Sequence, residues 1–472
     1  MRTLAAQLAA LAIGWLALGP GAAAAIPSDP PLSDARTVLD LLKAHPQDDL
    51  HVILIHGMRT SDRTTWDGLR KRLCEHLGGE CAAKAPSARS TDTLVLAPTP
   101  PPADYLGGPV WGDDTDSHGV VLRTGQQKWE ASQPFVDHYR FELKNGRRLI
   151  LDEINYWPLL FALKCPFIVA NDALLAGPDS QNIGFCAAPI PERSFAWFTP
   201  GEKARLESIH PVGGRAPPLD AVIKNPILDW GITDAVLSVG TLTPWLRETI
   251  RCAFADVAGF DPNDFGAARQ AHDALVDCQK ISRAAAPGLA PPQTSFVIIS
   301  HSLGAFLLMD TFLAAAGAAQ DRGDKCGPAP SPSRSFTAAD LAALSSASRD
   351  NQSLCDILAN SNYLYFFANQ FPLIELARAQ GMTADSDDRR PHPSALTLWA
   401  QGPSISHEPK QIVAFSDPGD VLTFQVPSLA GVKVFNAHPR TTIDWLWLLE
   451  WPPYAHVNYL KNGAVLKAVF GG

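Results

Sequence analysis

Six short runs of apolar, β-branched or aromatic residues recur along the chain, at His51–Ile55, Leu149–Ile154, Phe296–Ile299, Tyr363–Phe367, Ile412–Phe415 and Val432–Phe435. None alternates apolar with polar residues as a strand with one solvated face does, so each reads as a strand covered on both sides. Helical stretches separate several of them. Apolar strands alternating with helices predict an α/β fold, with a mostly parallel central sheet flanked by helices.

Two of those helices can be placed by their start signals. Thr64-Thr-Trp-Asp67 opens like a capping box, and Trp66, Leu69, Leu73 and Leu77 then fall on one stripe. Thr243-Pro244 opens a second helix, with proline in the first turn and Leu246, Ile250, Ala253 and Val257 on a common face. A hairpin is expected at Lys144-Asn-Gly-Arg147, between His138–Leu143 and Leu149–Ile154.

At 472 residues the length alone would allow two or three domains. The pattern instead predicts one α/β domain over residues 26–472, with 158–292 as a large, mainly helical insertion before the strand at Phe296 and a candidate lid or cap. That insertion is far longer than one strand-to-strand crossover requires. Ala82–Pro102, Gly327–Ser335 and the polar stretch Thr383–His407 read as surface loops. No internal repeat is found.

Residues 1–25 read as a secretory signal peptide: Met1-Arg2, a short apolar core from Leu4 to Leu18, and small residues up to Ala25, where cleavage is expected. The product is therefore expected to be exported, periplasmic or secreted. Arg2 is the one charged residue removed, so 38 basic residues face 48 acidic ones, a formal charge of −10. Phosphate neutralisation needs clustered cations, and the longest basic run, Arg70-Lys71-Arg72, reads as the solvated face of a helix. Nucleic acid is excluded as the expected partner. After Ala25 no apolar stretch is long enough to span a bilayer.

The eight cysteines, at 74, 81, 165, 186, 252, 278, 326 and 355, lack the paired spacing of a zinc-binding motif. Export makes disulfides the better reading, with neighbours paired: 74 with 81, 165 with 186, 252 with 278, 326 with 355. No HExxH, Walker-type or GxGxxG element is present, so no sequence motif implies a metal, nucleotide or dinucleotide cofactor.

The stretch Phe296-Val-Ile-Ile-Ser-His-Ser-Leu-Gly-Ala-Phe-Leu-Leu308 passes from strand to helix through five small or polar residues centred on Ser302. A serine exposed on so tight a turn needs small neighbours two positions away, and Ser300 and Gly304 supply them. Serine alone is a weak nucleophile at neutral pH; it needs a base, a carboxylate to orient that base, and donors for a developing oxyanion.

Candidates for each exist. Val52-Ile-Leu-Ile-His-Gly-Met58 is a strand ending in His-Gly, which can bend a loop over the serine and offer the Met58 N–H; the Leu303 N–H is the second donor. Ile412-Val-Ala-Phe-Ser-Asp-Pro-Gly-Asp-Val-Leu422 carries two carboxylates, of which Asp420 is preferred as the orienting acid and Asp417 as the turn former. His456 follows the last strand and leads an amphipathic segment ending in Val465, Leu466 and Val469. It is preferred as the base over His438, which precedes a proline turn. Trp445–Trp451 is an aromatic cluster that suits an acyl pocket, a lipid contact or plain core, and Phe195–Phe198 suits a lid or a packed satellite cluster.

The order Ser302, Asp420, His456, with His56-Gly57 upstream, resembles the α/β-hydrolase superfamily over His51 to about Trp157 and from Phe296 to the C-terminus. The turns "HGM", "SHSLG" and "DPGDVL" are most similar to those of lipases and esterases. The resemblance implies an eight-stranded core and hydrolysis of carboxylic esters, small-molecule or lipid, through an acyl-enzyme, without a cofactor. An acyltransferase or peptidase with the same triad, or an inactive binding module on the same fold, are the alternatives it leaves.

Overall fold

In this computed structural model the described residues are 31–44, 49–57, 66–76, 89–95, 109–111, 120–122, 133–142, 148–160, 233–239, 243–260, 274–278, 294–320, 353–370, 395–402, 409–420, 422–440, 456 and 458–471. The expected signal peptide, most of the 158–292 segment, Gly327–Ser335, Met58, Leu77, the Lys144–Arg147 turn and both aromatic clusters lie outside them.

The strands are β1 (Asp49–Ile55), β2 (Arg89–Val95), β3 (Pro109–Trp111), β4 (Val120–Leu122), β5 (Phe135–Glu142), β6 (Arg148–Asn155), β7 (Ala274–Asp277), β8 (Thr294–His301), β9 (Ser361–Phe367), β10 (Lys410–Phe415) and β11 (Val432–Ala437). Nine form one mixed sheet in the order β11-β10-β9-β8-β1-β6-β5-β2-β7; β3 and β4 make a separate two-stranded ribbon. Only β5 runs against its sheet neighbours, β6 and β2, and every other pair in the nine-stranded sheet is parallel. The six expected strands are all present. The count exceeds the eight that the resemblance implied.

Helices cover both faces. Ile53 and Ile55 of β1 point into one core with Leu246, Ile250, Ala253 and Val257 of α4 (Thr243–Gly259), Phe306 of α5 (Leu303–Gln320) and Trp399 of α6 (Ala395–Gln401). The alternate residues Val52 and Leu54 point into the other, with Leu41 of α1 (Val38–Ala44), Leu69 and Leu73 of α2 (Asp67–His76) and Leu466 and Val469 of α7 (Gly463–Phe470). A further short helix, α3, spans Thr233–Val239. Both faces of each central strand are thus buried, which is why those strands carry no polar alternation. Each such fully buried aliphatic side chain contributes about 2 kcal/mol relative to leaving it in water.

Several expectations are corrected. The Ala82–Pro102 stretch is not all loop, because Arg89–Val95 forms β2, with Ser90, Thr91, Asp92 and Thr93 buried. Thr383–His407 contains α6, whose Ala395, Leu396, Leu398 and Trp399 are core residues. Within the 158–292 stretch, Ala274–Asp277 forms β7, a parallel strand beside β2. Arg70 is no solvated cation: it pairs with buried Glu153 at 2.5 Å and lies over the Tyr139 ring. Cys252 of α4 and Cys278, just after β7, are joined by a disulfide, one of the neighbour pairs expected. Among the described residues no helix is long and apolar enough to cross a membrane.

Candidate active site

β8 ends at His301 and α5 begins at Leu303, so Ser302 alone makes the turn. Its φ of 54° is in the left-handed region, a conformation a residue bearing a Cβ adopts at a cost of about 1–3 kcal/mol. The surrounding structure holds it there, with the Ser302 N–H donating to the Phe367 carbonyl at 2.7 Å and the Ser302 carbonyl accepting from Ala305 at 3.2 Å.

The two glycines explain how the turn fits under its neighbours. A Cβ on Gly304 would run into the carbonyl oxygens of His56 and Ile55, so the first turn of α5 lies directly against the end of β1. A Cβ on Gly57 would stand 2.5 Å from Ser302 Cβ and 2.5 Å from His301 Nδ1, which places the chain leaving β1 immediately over the serine. Ser300, the other small neighbour of the serine, is buried, and its Oγ has no hydrogen-bond partner among the described residues. Gly304→Ala is therefore expected to cost about 3 kcal/mol, because the clash is with backbone. Ser300→Ala should be neutral or gain about 1 kcal/mol by removing an unsatisfied hydroxyl. Urea unfolding of the two variants measures both; an unaffected Gly304→Ala protein would contradict the close approach.

Three side chains from three distant parts of the chain meet here. Ser302 Oγ lies 2.7 Å from His456 Nε2, and His456 Nδ1 lies 2.9 and 3.1 Å from the two oxygens of Asp420. A carboxylate only accepts, so Nδ1 carries the proton, Nε2 is the acceptor, and the serine hydroxyl donates to it. Ser302 is fully buried, while His456 and Asp420 retain 7% and 4% exposure.

Asp420 is fixed by the Leu422 N–H, 3.0 Å from Oδ1, and by the Tyr459 hydroxyl, 3.3 Å from Oδ2. Asp417 is turned the other way and accepts from the Gly419 N–H at 2.8 Å, the role of a turn former. Its own N–H donates to the Tyr459 oxygen, so Tyr459 joins the two acids. Burial first, then the nearby Asp420, raises the Tyr459 pKa, and the phenol stays protonated and able to donate. His438 stands apart from the triad, with Nδ1 3.1 Å from the Ser416 carbonyl and Nε2 near the Gln425 amide.

Two more histidines brace the site, and sequence reasoning assigned neither a role. Burial, then the adjacent His456, lowers the pKa of His301 to about 3, so its ring is neutral, and its Nε2–H donates to the His456 carbonyl at 2.8 Å. Burial lowers that of His56 to about 4. Its Nδ1–H donates to the Gly57 carbonyl at 2.8 Å, and its Nε2 accepts from the N–H groups of Tyr156 at 3.1 Å and Trp157 at 3.2 Å. His56 thereby holds the Gly57 carbonyl in place where the chain leaves β1. Tyr459 was also missed, though it follows His456 by three residues, the spacing that places two side chains on one side of a helical turn.

Leu303 is the first residue of α5, where backbone N–H groups have no intrahelical acceptor. Met58, the other expected oxyanion donor, lies outside the described residues, but Gly57 before it touches the serine. Comparisons of the chain with protein-family models, with curated protein sequences and with solved structures find no match.

Proposed function

We propose that this chain is an exported serine hydrolase of carboxylic esters, lipase- or esterase-like, built on the α/β-hydrolase fold. The observation that carries the reading is the connected line from Ser302 Oγ through His456 to Asp420, with the serine strained at a strand-to-helix turn. A structural serine has no use for an imidazole that is itself oriented by a buried carboxylate. The position of the turn, between a central parallel strand and the helix that follows it, is where an α/β-hydrolase presents its nucleophile.

Ser302 Oγ attacks the ester carbonyl while His456 Nε2 takes its proton. Asp420 holds the imidazole in the tautomer with Nδ1–H and stabilises the cation as it forms. Negative charge gathers on the former carbonyl oxygen, which the Leu303 and Met58 N–H groups bind. His456 then returns the proton to the departing alcohol, leaving Ser302 acylated. In the second half His456 activates water, which releases the acid and restores the serine. The partner is a small-molecule or lipid ester, with transient lipid-surface contact as part of the same proposal.

An active-site-directed fluorophosphonate tests the class. Covalent labelling of Ser302 in the full chain, found by peptide mass mapping and lost in Ser302→Ala, is expected. An unlabelled folded protein would favour a binding module instead.

A further inference from the structure

We infer that Asp92 of β2, His138 of β5 and Asp256 of α4 form a buried site for a divalent metal ion, and that the ion is zinc. Nothing in the proposed ester chemistry uses these residues. They are 3%, 0% and 8% exposed, and one ligand atom from each lies within 4.8 Å of the others. Among the described residues no other such group of histidine, cysteine and acidic side chains converges.

The two nitrogens of His138 are held differently. Nδ1 lies 2.6 Å from Asp152 Oδ1, a short charge-assisted hydrogen bond. Nε2 faces two carboxylates at once, 3.1 Å from Asp256 Oδ2 and 3.7 Å from Asp92 Oδ2. Those two distances straddle the spacing of about 3.3 Å that separates neighbouring ligands of a tetrahedral zinc ion with bonds of about 2.0–2.1 Å. One of them is long for a hydrogen bond. A metal-bound imidazole characteristically gives its other N–H to a carboxylate, and Asp152 is in that place. Asp152 is itself fixed, through its second oxygen, by His51 Nδ1 at 2.8 Å, and Phe260 stacks on the His138 ring at 4.0 Å. The His138 ring therefore has one allowed orientation, and it aims Nε2 between the two acids.

One nitrogen and two carboxylate oxygens suit zinc, whose fourth position would be filled by water. The metal takes the place of a proton on Nε2. Its role is to fasten α4 to the antiparallel part of the sheet: Asp256 is one helical turn beyond Cys252, whose disulfide ties the same helix to the end of β7, beside β2. A metal-free reading of the same residues exists. Burial pulls the His138 pKa down, but its hydrogen bonds to Asp152 and Asp256 more than offset this and raise it to about 10, so the ring would be an imidazolium clasped by acids.

Metal content separates the two. The purified full chain, equilibrated with zinc chloride and desalted, should retain one zinc per chain by elemental mass spectrometry. Chelation should lower Tm by about 5 °C, and zinc should restore it. His138→Gln and Asp256→Asn should each lose that zinc. Should either variant fail to fold, zinc-edge X-ray absorption of the wild-type protein gives the answer, with a shell of one imidazole and oxygen ligands expected. A chain that retains no stoichiometric zinc and whose Tm ignores both chelator and zinc overturns the site. So does equal retention by folded variants, or a shell containing sulfur or several imidazoles. Each readout is independent of ester turnover.

Discussion

Ser302→Ala is expected to lower turnover of a p-nitrophenyl ester by about six orders of magnitude, because the members of a triad act as a unit and the loss of the nucleophile forfeits the acyl-enzyme route. The variant should fold, since only one hydroxyl is removed and the backbone bonds from Ser302 to Phe367 and Ala305 are untouched. What remains is the contribution of substrate binding and of the oxyanion donors. Turnover close to wild type in a protein with an unchanged melting curve would end the proposal that Ser302 is the nucleophile.

The second large effect distinguishes the base and the acid from their neighbours. His456→Ala should be nearly as damaging as the loss of the serine, whereas His438→Ala should leave kcat within a few-fold, its ring being bonded to Ser416 and Gln425 and not to the triad. Asp420→Asn should cost about 10^4 in kcat, because an amide that donates to Nδ1 imposes the wrong tautomer. Asp417→Asn should act on stability, by about 1 kcal/mol through the turn at Gly419, with kcat little changed. Thermal melts of the four variants followed by kcat on one soluble ester decide the matter; an inactive His438 variant beside an active His456 variant reverses the assignment.

The parts of this molecule legible in its sequence are those where local chemistry and tertiary setting agree. Fully apolar strands announced a sheet buried on both faces, and a small-residue turn around Ser302 announced a strand-to-helix junction. Between Asp417 and Asp420 the local turn rule was enough, because the residue best placed to begin the turn is the one that does so. β2 was hidden because Ser90, Thr91, Asp92 and Thr93 are polar yet buried. Their burial depends on groups such as Asp137, which accepts from Thr91 Oγ1 at 2.7 Å, and no one-dimensional pattern reveals such a partner. Arg70 misled in the same way, since it lies on α2 and its acid, Glu153, on the distant strand β6. α6 was concealed by polar flanks that say nothing of the apolar turn between them. His56 and His301 were given no role of their own, because bracing the backbone leaves no signature beyond their identity.

The placing of β1 at the centre of the sheet has a consequence for how the chain comes into being. Leu50 pairs with Leu149 on one side, and Asp49 with Thr294 on the other. Contacts so remote in the chain form slowly, since a long loop must close before they yield any stabilisation. A ribosome-bound or truncated chain that stops short of Thr294 therefore has β1 paired along one side and an open, apolar strand edge on the other, a surface prone to self-association. It also has no serine at position 302, and the imidazole arrives 154 positions later still. The line from Ser302 through His456 to Asp420 is thus assembled only after residue 456 has been made, and a product that stops short of Thr294 carries its open strand edge before that line exists.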